Sequence, residues 1–434
     1  MKFVVEGLGL TSGGGKGIVS ELLSALARHT EHEFVAILTR APEYASIAAP
    51  NMKIMVYEKS RSLLRRAQFL HRTVPEICRE EQADALLCLG NFAPHRATVP
   101  TIISLRNAFY VCPAPEACAG LSLREKLIVH YARWHFRRLP EDVFMTVETE
   151  LMREQFLKTY PAEPSKVAVI SNGADRLPRP DGAPASYRQT TPGRRYRVHR
   201  TTGDDPGEAA RARKPEDPFT FLCLARYYPH KNIEMCVKAM KRLVSTGRRA
   251  RLLITVDPAD HPRARILLQR IQREGLDGRI QNLGTVPQPE LPRVFAAADV
   301  LLLPTLIESF TRTFLEAMNY ELPILTSGRD FARHICGSAA LYLDPLNVES
   351  VAGSMIRIME DATLRRDLAA RGRKEAARFP SWDEIGAQFV AALESVACGG
   401  GLARINHEVL LEDRKGTVLT VPFKRDLNAV GRHG

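Results

Sequence analysis

The segment DVLLLPTLIESFTRTFLEAM, residues 299–318, falls into three parts. Val300 to Leu303 is a short, wholly apolar run of the kind that a strand buried on both faces shows. Pro304 follows it, Glu308 and Ser309 stand in a turn, and from about residue 312 to 320 the apolar residues recur at helical spacing. A buried strand that feeds a helix through a tight turn is half of a βαβ unit. The same grammar surrounds it: FTFLCLA from Phe219, a helix over 233–246 stopped by Gly247, RLLITV, a helix through 262–273, RIQNLG, LPILT and ALYLDP. An earlier series runs KFVVE, IVSELLSALARH, EFVAILT, KIMVY, a helix across 62–81, ADALLCL, PTIISLR, VFMTV and KVAVISNGAD. Alternation of this kind predicts α/β architecture with two doubly wound, Rossmann-like parallel sheets.

The division expected is a first domain over 1–175, a linker or insertion over 176–217 and a second domain over 218–380. A helix over 381–398 is expected to pack back on the first domain, followed by a loosely held tail over 399–434. Residues 176–217 hold ten Arg or Lys and six Asp or Glu among many Pro and Gly, a composition that cannot bury a core. A length of 434 residues suits two or three domains. With 45% hydrophobic and 25% charged residues, wholesale disorder and a small disulfide scaffold are excluded. The eight cysteines are scattered without a C-x-x-C pair, which fits a reducing compartment. Cys112 and Cys118 in CPAPEAC read either as bystander thiols or as a disulfide or metal loop. MKFVVEGLGL reads as an opening strand rather than a signal peptide, and no apolar run is long enough to span a membrane. The net charge of +12 implies anionic partners.

Open α/β sheets bind ligands at the carboxyl ends of their strands, so a cleft between two such domains is the expected site. Three motifs lie there. TSGGGKG, residues 11–17, opens the first helix; its spacing fits neither a P-loop nor G-x-G-x-x-G, but Gly14 and Gly15 would let an anion approach a helix N-terminus. The competing reading is a tight turn without a ligand. LARYYPHKN, residues 224–232, places Arg226 and Lys231 at the end of a strand, where a planar fork and a compact charge suit two phosphate oxygens. The third motif puts Glu308 in a strand-to-helix turn and Glu316 inside the helix, positioned for sugar hydroxyls and a ribose diol. Backbone N–H groups around Ser309, Phe310, Thr311 and Arg312 would face a diphosphate.

In these motifs the chain resembles the retaining GT-B glycosyltransferases of the large family-4 type, the glycosyl transferases group 1. The shared features are the Glu-x7-Glu pair (Glu308, Glu316), the Arg-x4-Lys-Asn motif (Arg226, Lys231, Asn232), V-I-x-N-G-x-D from Val169 to Asp175, and the run from Leu283 to Thr305. The resemblance implies transfer of a sugar from a nucleoside-diphosphate donor to an acceptor hydroxyl, retaining and metal-independent, with no cofactor beyond the nucleotide sugar. It implies a carbohydrate or lipid-linked acceptor and a role in polysaccharide or glycolipid biosynthesis of the cell envelope. By the same resemblance Arg226 and Lys231 neutralise the diphosphate, Glu316 binds the ribose, Glu308 contacts the transferred sugar and Val286 lines the base pocket. Family members often carry Gly where Ser309 and Thr311 stand here, and many carry a first-domain His where this chain has Arg106 and Asn107. Those two are taken as lining the acceptor side of the cleft, against an ordinary strand end. Alternatives are a GT-B sugar-nucleotide epimerase, a phosphorylase, or a non-catalytic basic protein that grips membrane or nucleic acid; no nucleic-acid partner is expected for the transferase.

The helix LSLREKLIVHYARWHFRRL begins with an S-x-x-E capping box at Ser122 and Glu125. Lys126, His130, Arg133 and Arg137 share one face, and Leu123, Leu127, Tyr131 and Trp134 another. Two readings stand: a membrane-surface helix presenting Arg124 to Arg138 to anionic headgroups of a peripheral cytoplasmic protein, or a solvated face over a core stripe.

Overall fold

The computed structural model describes residues 1–10, 13–39, 44, 47, 49–58, 62–112, 114–173, 217–406, 409–412 and 418–421. The readings of residues 176–216 and of Asp175 lie outside these. Two compact units form: Met1–Val111, His130–Gly173 and Trp382–Gly434 make the first, and Cys112–Val129 with Ala174–Ser381 the second.

The first unit is built on a seven-stranded sheet of β1 (Lys2–Glu6), β2 (Glu33–Leu38), β3 (Met52–Val56), β4 (Ala85–Cys88), β5 (Thr101–Leu105), β6 (Val143–Val147) and β7 (Val167–Val169). The order is β3-β2-β1-β4-β5-β6-β7, and every pairing is parallel. Strand order reverses between β1 and β4, where Gly9 and Gly90 bring two loops together. A Cβ on Gly9 would lie 2.4 Å from the Gly90 Cα, so only glycine fits. Phe3, Val5, Leu22, Phe34, Leu87, Phe389 and Leu393 belong to one buried core. The helix Trp382–Ala397 packs in that core against the first helix, Gly13–Leu26.

The second unit has β8 (Phe219–Cys223), β9 (Ala250–Ile254), β10 (Ile280–Asn282), β11 (Val300–Leu303), β12 (Ile324–Ser327) and β13 (Ala340–Leu343), in the order β10-β9-β8-β11-β12-β13. Here too the pairing is parallel throughout. Val300 and Leu301 pair with Phe221 and Leu222, so the reversal falls between β8 and β11. Ligands of such sheets bind beyond the carboxyl ends of the strands at this point.

Three sequence expectations are altered. The single helix over 62–81 is three pieces, Leu63–Gln68, a π-helical turn Phe69–Thr73, and Val74–Glu80. Pro75 supplies the reason: it has no N–H for the regular ladder, so the register slips. Residues Cys112–Val129 group with the second unit, not the first. Gly120 lets this segment lie on the loop after β8, since a Cβ there would be 2.7 Å from the Pro229 Cβ, and Glu116 pairs with Arg329. The tail is anchored at its start, where Leu402 is fully buried and its N–H donates to the Ser165 carbonyl at 2.7 Å; further on Val409–Glu412 pairs antiparallel with Val418–Val421, and the reading of residues 422–434 lies outside the described residues. Of the two readings of Cys112 and Cys118, the bystander thiols hold: both are free, as are the other six cysteines.

Gly386 sits where the Trp382–Ala397 helix meets Ala25, and a Cβ there would lie 2.7 Å from the Ala25 Cβ and 3.2 Å from its carbonyl carbon. Gly386→Val should therefore cost about 1–3 kcal/mol in urea unfolding. Gly353, in the helix Val348–Glu360, meets nothing within 4 Å, and Gly353→Ala should stabilise by up to ~1 kcal/mol through helix propensity alone.

Candidate active site

The loops that leave β8 and β11 are joined through Asn232. This residue holds a left-handed conformation at φ 56°, which a short polar side chain tolerates. Its amide donates to the carbonyls of Pro304 at 3.1 Å and Pro345 at 2.8 Å. The Leu306 N–H donates to the His230 carbonyl at 2.8 Å. Held in this way, the Lys231 ammonium donates to Glu308 Oε1, and His230 Nε2 lies 3.9 Å from the same oxygen. All three side chains are 14–17% exposed, so the pair is shielded from bulk water yet reachable. Burial, helped by the Lys231 charge and opposed by Glu308, pushes His230 down to about 4. At neutral pH the cation beside Glu308 is therefore Lys231.

Arg226 leaves the end of β8 and is half-exposed. Its Nε donates to Asp260 Oδ1 at 2.6 Å, while Asp260 Oδ2 accepts from the Tyr227 N–H at 3.3 Å. Asp260 is nearly buried, so it fixes the guanidinium stem from below. Arg226 also lies over the Tyr228 ring at 5.9 Å.

The helix Arg312–Asn319 starts at Thr311, whose own side chain makes no capping hydrogen bond. Thr311 is 4% exposed and its hydroxyl has no hydrogen-bond partner, an expensive state for a buried polar atom. The first N–H groups of a helix carry partial positive charge, so this end is suited to an anion. Glu316, buried one turn on, pairs with Arg312 at 3.2 Å. Ser309 and Phe310 are buried, and Phe310 meets Phe379 edge-on at 5.6 Å. Val286 is half-buried on the loop after β10. That loop is tied to the one after β9: the Asn282 side chain bonds both backbone groups of Val256, and Thr285 donates to Asp257 at 3.1 Å.

In the first unit Gly14 and Gly15 lie in the first turn of the Gly13–Leu26 helix, with Gly15 packed close to Leu10. Arg106 is at the carboxyl end of β5 with its side chain 5% exposed. It donates from Nη1 to Glu148 at 2.9 Å and to Asn172 at 2.6 Å, while Asn172 donates to Glu148 at 2.7 Å. Burial lowers its pKa and Glu148 opposes the shift. Asn107 accepts from the Phe109 N–H at 3.0 Å and so caps the turn that follows. Arg106 is thus held in a buried polar network rather than extended into solvent.

The structure brings Lys231 to Glu308 and Arg312 to Glu316, and it sets Arg226 on Asp260. Asp260, in DPAD at 257–260, and His230, which adjoins Lys231, carry no sequence signal of their own that points to this site. The sequence also assigns no role to Glu148 or to Asn172, the Asn of the V-I-x-N-G-x-D segment. Among the described residues no group of three or more His, Cys, Asp or Glu is arranged to hold a metal ion.

Residues 205–375 match the family model "Glycosyl transferases group 1". Over 171 residues the chain is 29% identical to the O-antigen chain mannosyltransferase B of Escherichia coli, covering 39% of this chain and 44% of that one. The chain spans about half the length, or less, of the curated relatives it matches. Among solved structures, the sucrose-phosphate synthase of Thermosynechococcus elongatus superposes with a TM-score of 0.68 at 15% identity, covering 92% of this chain and 100% of that one. The Anabaena protein HepE, solved in complex with UDP-glucose, gives 0.65 at 16%, with 91% and 100% covered. The fold is GT-B, with two Rossmann-like parallel-sheet units.

His230 is held neutral by its surroundings, whereas an unfolded histidine takes up a proton near pH 6.5. The unfolded chain thus binds more protons between pH 6.5 and about 4, so His230 makes stability fall as the pH drops through that window. His230→Asn should make the urea midpoint fall less steeply with decreasing pH over the same range.

Proposed function

With residues 205–375 as a group 1 glycosyltransferase segment, we propose that the protein transfers a sugar from a nucleoside-diphosphate donor to an acceptor hydroxyl. The acceptor is a carbohydrate or lipid-linked chain of polysaccharide or glycolipid biosynthesis, met at the cytoplasmic face of a membrane. The observation that carries the reading is the convergence at one sheet edge of two cations, Arg226 and Lys231, two carboxylates, Glu308 and Glu316, and a helix start whose buried Thr311 hydroxyl makes no hydrogen bond. The relatives' names, a mannosyltransferase among them, and the UDP-glucose carried by HepE support it.

In this reading, departure of the nucleoside diphosphate is the hard step. Arg226 and Lys231 neutralise the leaving charge, and the N–H groups at the start of the Arg312–Asn319 helix donate to it. The charges of Arg226 and Lys231 take the place a metal ion would have, so the transfer is metal-independent. A diphosphate competes with Glu308 for Lys231; as the ammonium turns to phosphate, Glu308 is released to accept from hydroxyls of the transferred sugar. Glu316, steadied by Arg312, holds the ribose, and Val286 lines the base. Retention of anomeric configuration follows from the family resemblance.

A thermal-shift panel of UDP-, GDP-, ADP- and TDP-sugars tests this directly. One of them should raise the melting temperature, and Arg226→Ala or Lys231→Ala should weaken its binding by roughly 10- to 100-fold, the worth of a charge-assisted hydrogen bond. Glu308→Ala should keep nucleotide binding and lose sugar transfer and donor hydrolysis. Absence of any shift with the wild type, or polyanion binding indifferent to Arg226→Ala and Glu308→Ala, would leave a non-catalytic basic protein as the reading.

A further inference from the structure

We propose that the helix Leu123–Phe136, with the Leu63–Thr73 helical segment beside it, is a docking surface for an anionic lipid bilayer. The proposal deepens the membrane location given above and rests on it. The apolar row Leu123, Leu127, Tyr131 and Trp134 is not a core stripe: these side chains are 76%, 61%, 37% and 41% exposed. The helix buries its other side instead, through Ala132, His135 and Phe136. Four large apolar side chains spaced along one exposed row are uncommon on a soluble surface that nothing covers.

The flanks of the row say what covers it. Arg124, Lys126, His130, Arg133, Arg137 and Arg138 are all exposed around it. The single carboxylate of the helix, Glu125, is occupied in the capping box, accepting from the Ser122 N–H at 2.7 Å. Tyr and Trp favour the headgroup level of a bilayer, and Lys and Arg stems can lie along apolar surface while their charges reach phosphate. Arg138 already stacks over Trp134 at 4.9 Å.

The neighbouring segment extends the surface. Leu64 is 83% exposed, with Arg65, Arg66 and Arg72 exposed around it. A groove of about 360 Å³ lined by Ala67, Gln68, His71 and Arg72 lies on the same segment. A histidine–tyrosine cluster joins the two helices. The His71 and His95 rings stack with centroids 4.2 Å apart, and the Tyr131 hydroxyl lies 3.4 Å from Nε2 of each. The His95 N–H donates to His71 Nδ1 at 3.1 Å, which leaves the proton of neutral His71 on Nε2. Burial and the neighbouring histidine hold His71 near 4, so the clamp stays uncharged at neutral pH.

Vesicle co-sedimentation of the full chain tests the proposal, with phosphatidylcholine alone and with phosphatidylcholine mixed with phosphatidylglycerol. The wild type should pellet with the anionic vesicles and not with the neutral ones. Arg133→Ser with Arg137→Ser should weaken binding by roughly fivefold per cation and flatten its salt dependence. Leu127→Ser with Trp134→Ser should abolish it while keeping the wild-type melting temperature. Independently of any variant, Trp134 emission should shift to the blue on anionic vesicles, since the other tryptophan, Trp382, is already buried. A wild type that stays in the supernatant with an unshifted emission overturns the proposal. So does a dimer that Leu127→Ser with Trp134→Ser converts to monomer, which would assign the row to a second copy of the chain. Loss of docking with nucleotide-sugar shifts intact fails this proposal alone; docking without any nucleotide-sugar shift fails the transferase reading alone.

Discussion

The parallel pairing of β8 with β11 is the constraint on which the candidate site depends. Because those two strands are neighbours in the sheet yet far apart in sequence, the residues just past their carboxyl ends must meet. Arg226 and Lys231 come from one loop, Glu308 and the start of the Arg312–Asn319 helix from the other. Asn232, in its left-handed conformation, ties the loops to each other and to Pro345 beyond β13. Without that pairing Lys231 and Glu308 would be two unrelated surface charges. With it they form a sheltered ion pair whose partners can be exchanged by an incoming anion.

Both units place polar groups at the same sheet edge, with different outcomes. In the first, Glu148 and Asn172, which come from the ends of β6 and β7, both accept from Arg106 Nη1, so the charge is paired within the fold. In the second, hydroxyls of Thr305, Thr311 and Ser327 are buried without partners, Thr311 being the residue at which the helix after β11 starts. Unsatisfied polar groups at a strand end are costly to keep and are expected where a ligand supplies the missing contacts.

Much of this was legible in the chain. Every strand of both sheets except β10, where Gln281 and Asn282 are exposed, contains an apolar run bounded by Gly, Pro or polar turns, because a doubly covered parallel strand leaves a pattern that short-range reading can see. The pairing of Lys231 with Glu308 could be anticipated only through spacing and resemblance. Asp260 was invisible because it acts by gripping the stem of Arg226, a tertiary relation with no local signature. The Leu123–Phe136 helix marks the same limit from the other side: its periodicity showed two faces, but which one the protein buries depends on its neighbours. His135 and Phe136 won that place, and the row from Leu123 to Trp134 was left outside.

The central claim is that a nucleoside diphosphate is held at the carboxyl edge of the second sheet by Arg226, Lys231 and the start of the Arg312–Asn319 helix. Amide hydrogen exchange with and without the nucleotide sugar that stabilises the protein measures this most directly. The account predicts new protection concentrated in peptides covering residues 226–232 and 308–316. Protection elsewhere, with these two segments unchanged under saturating ligand, would contradict it.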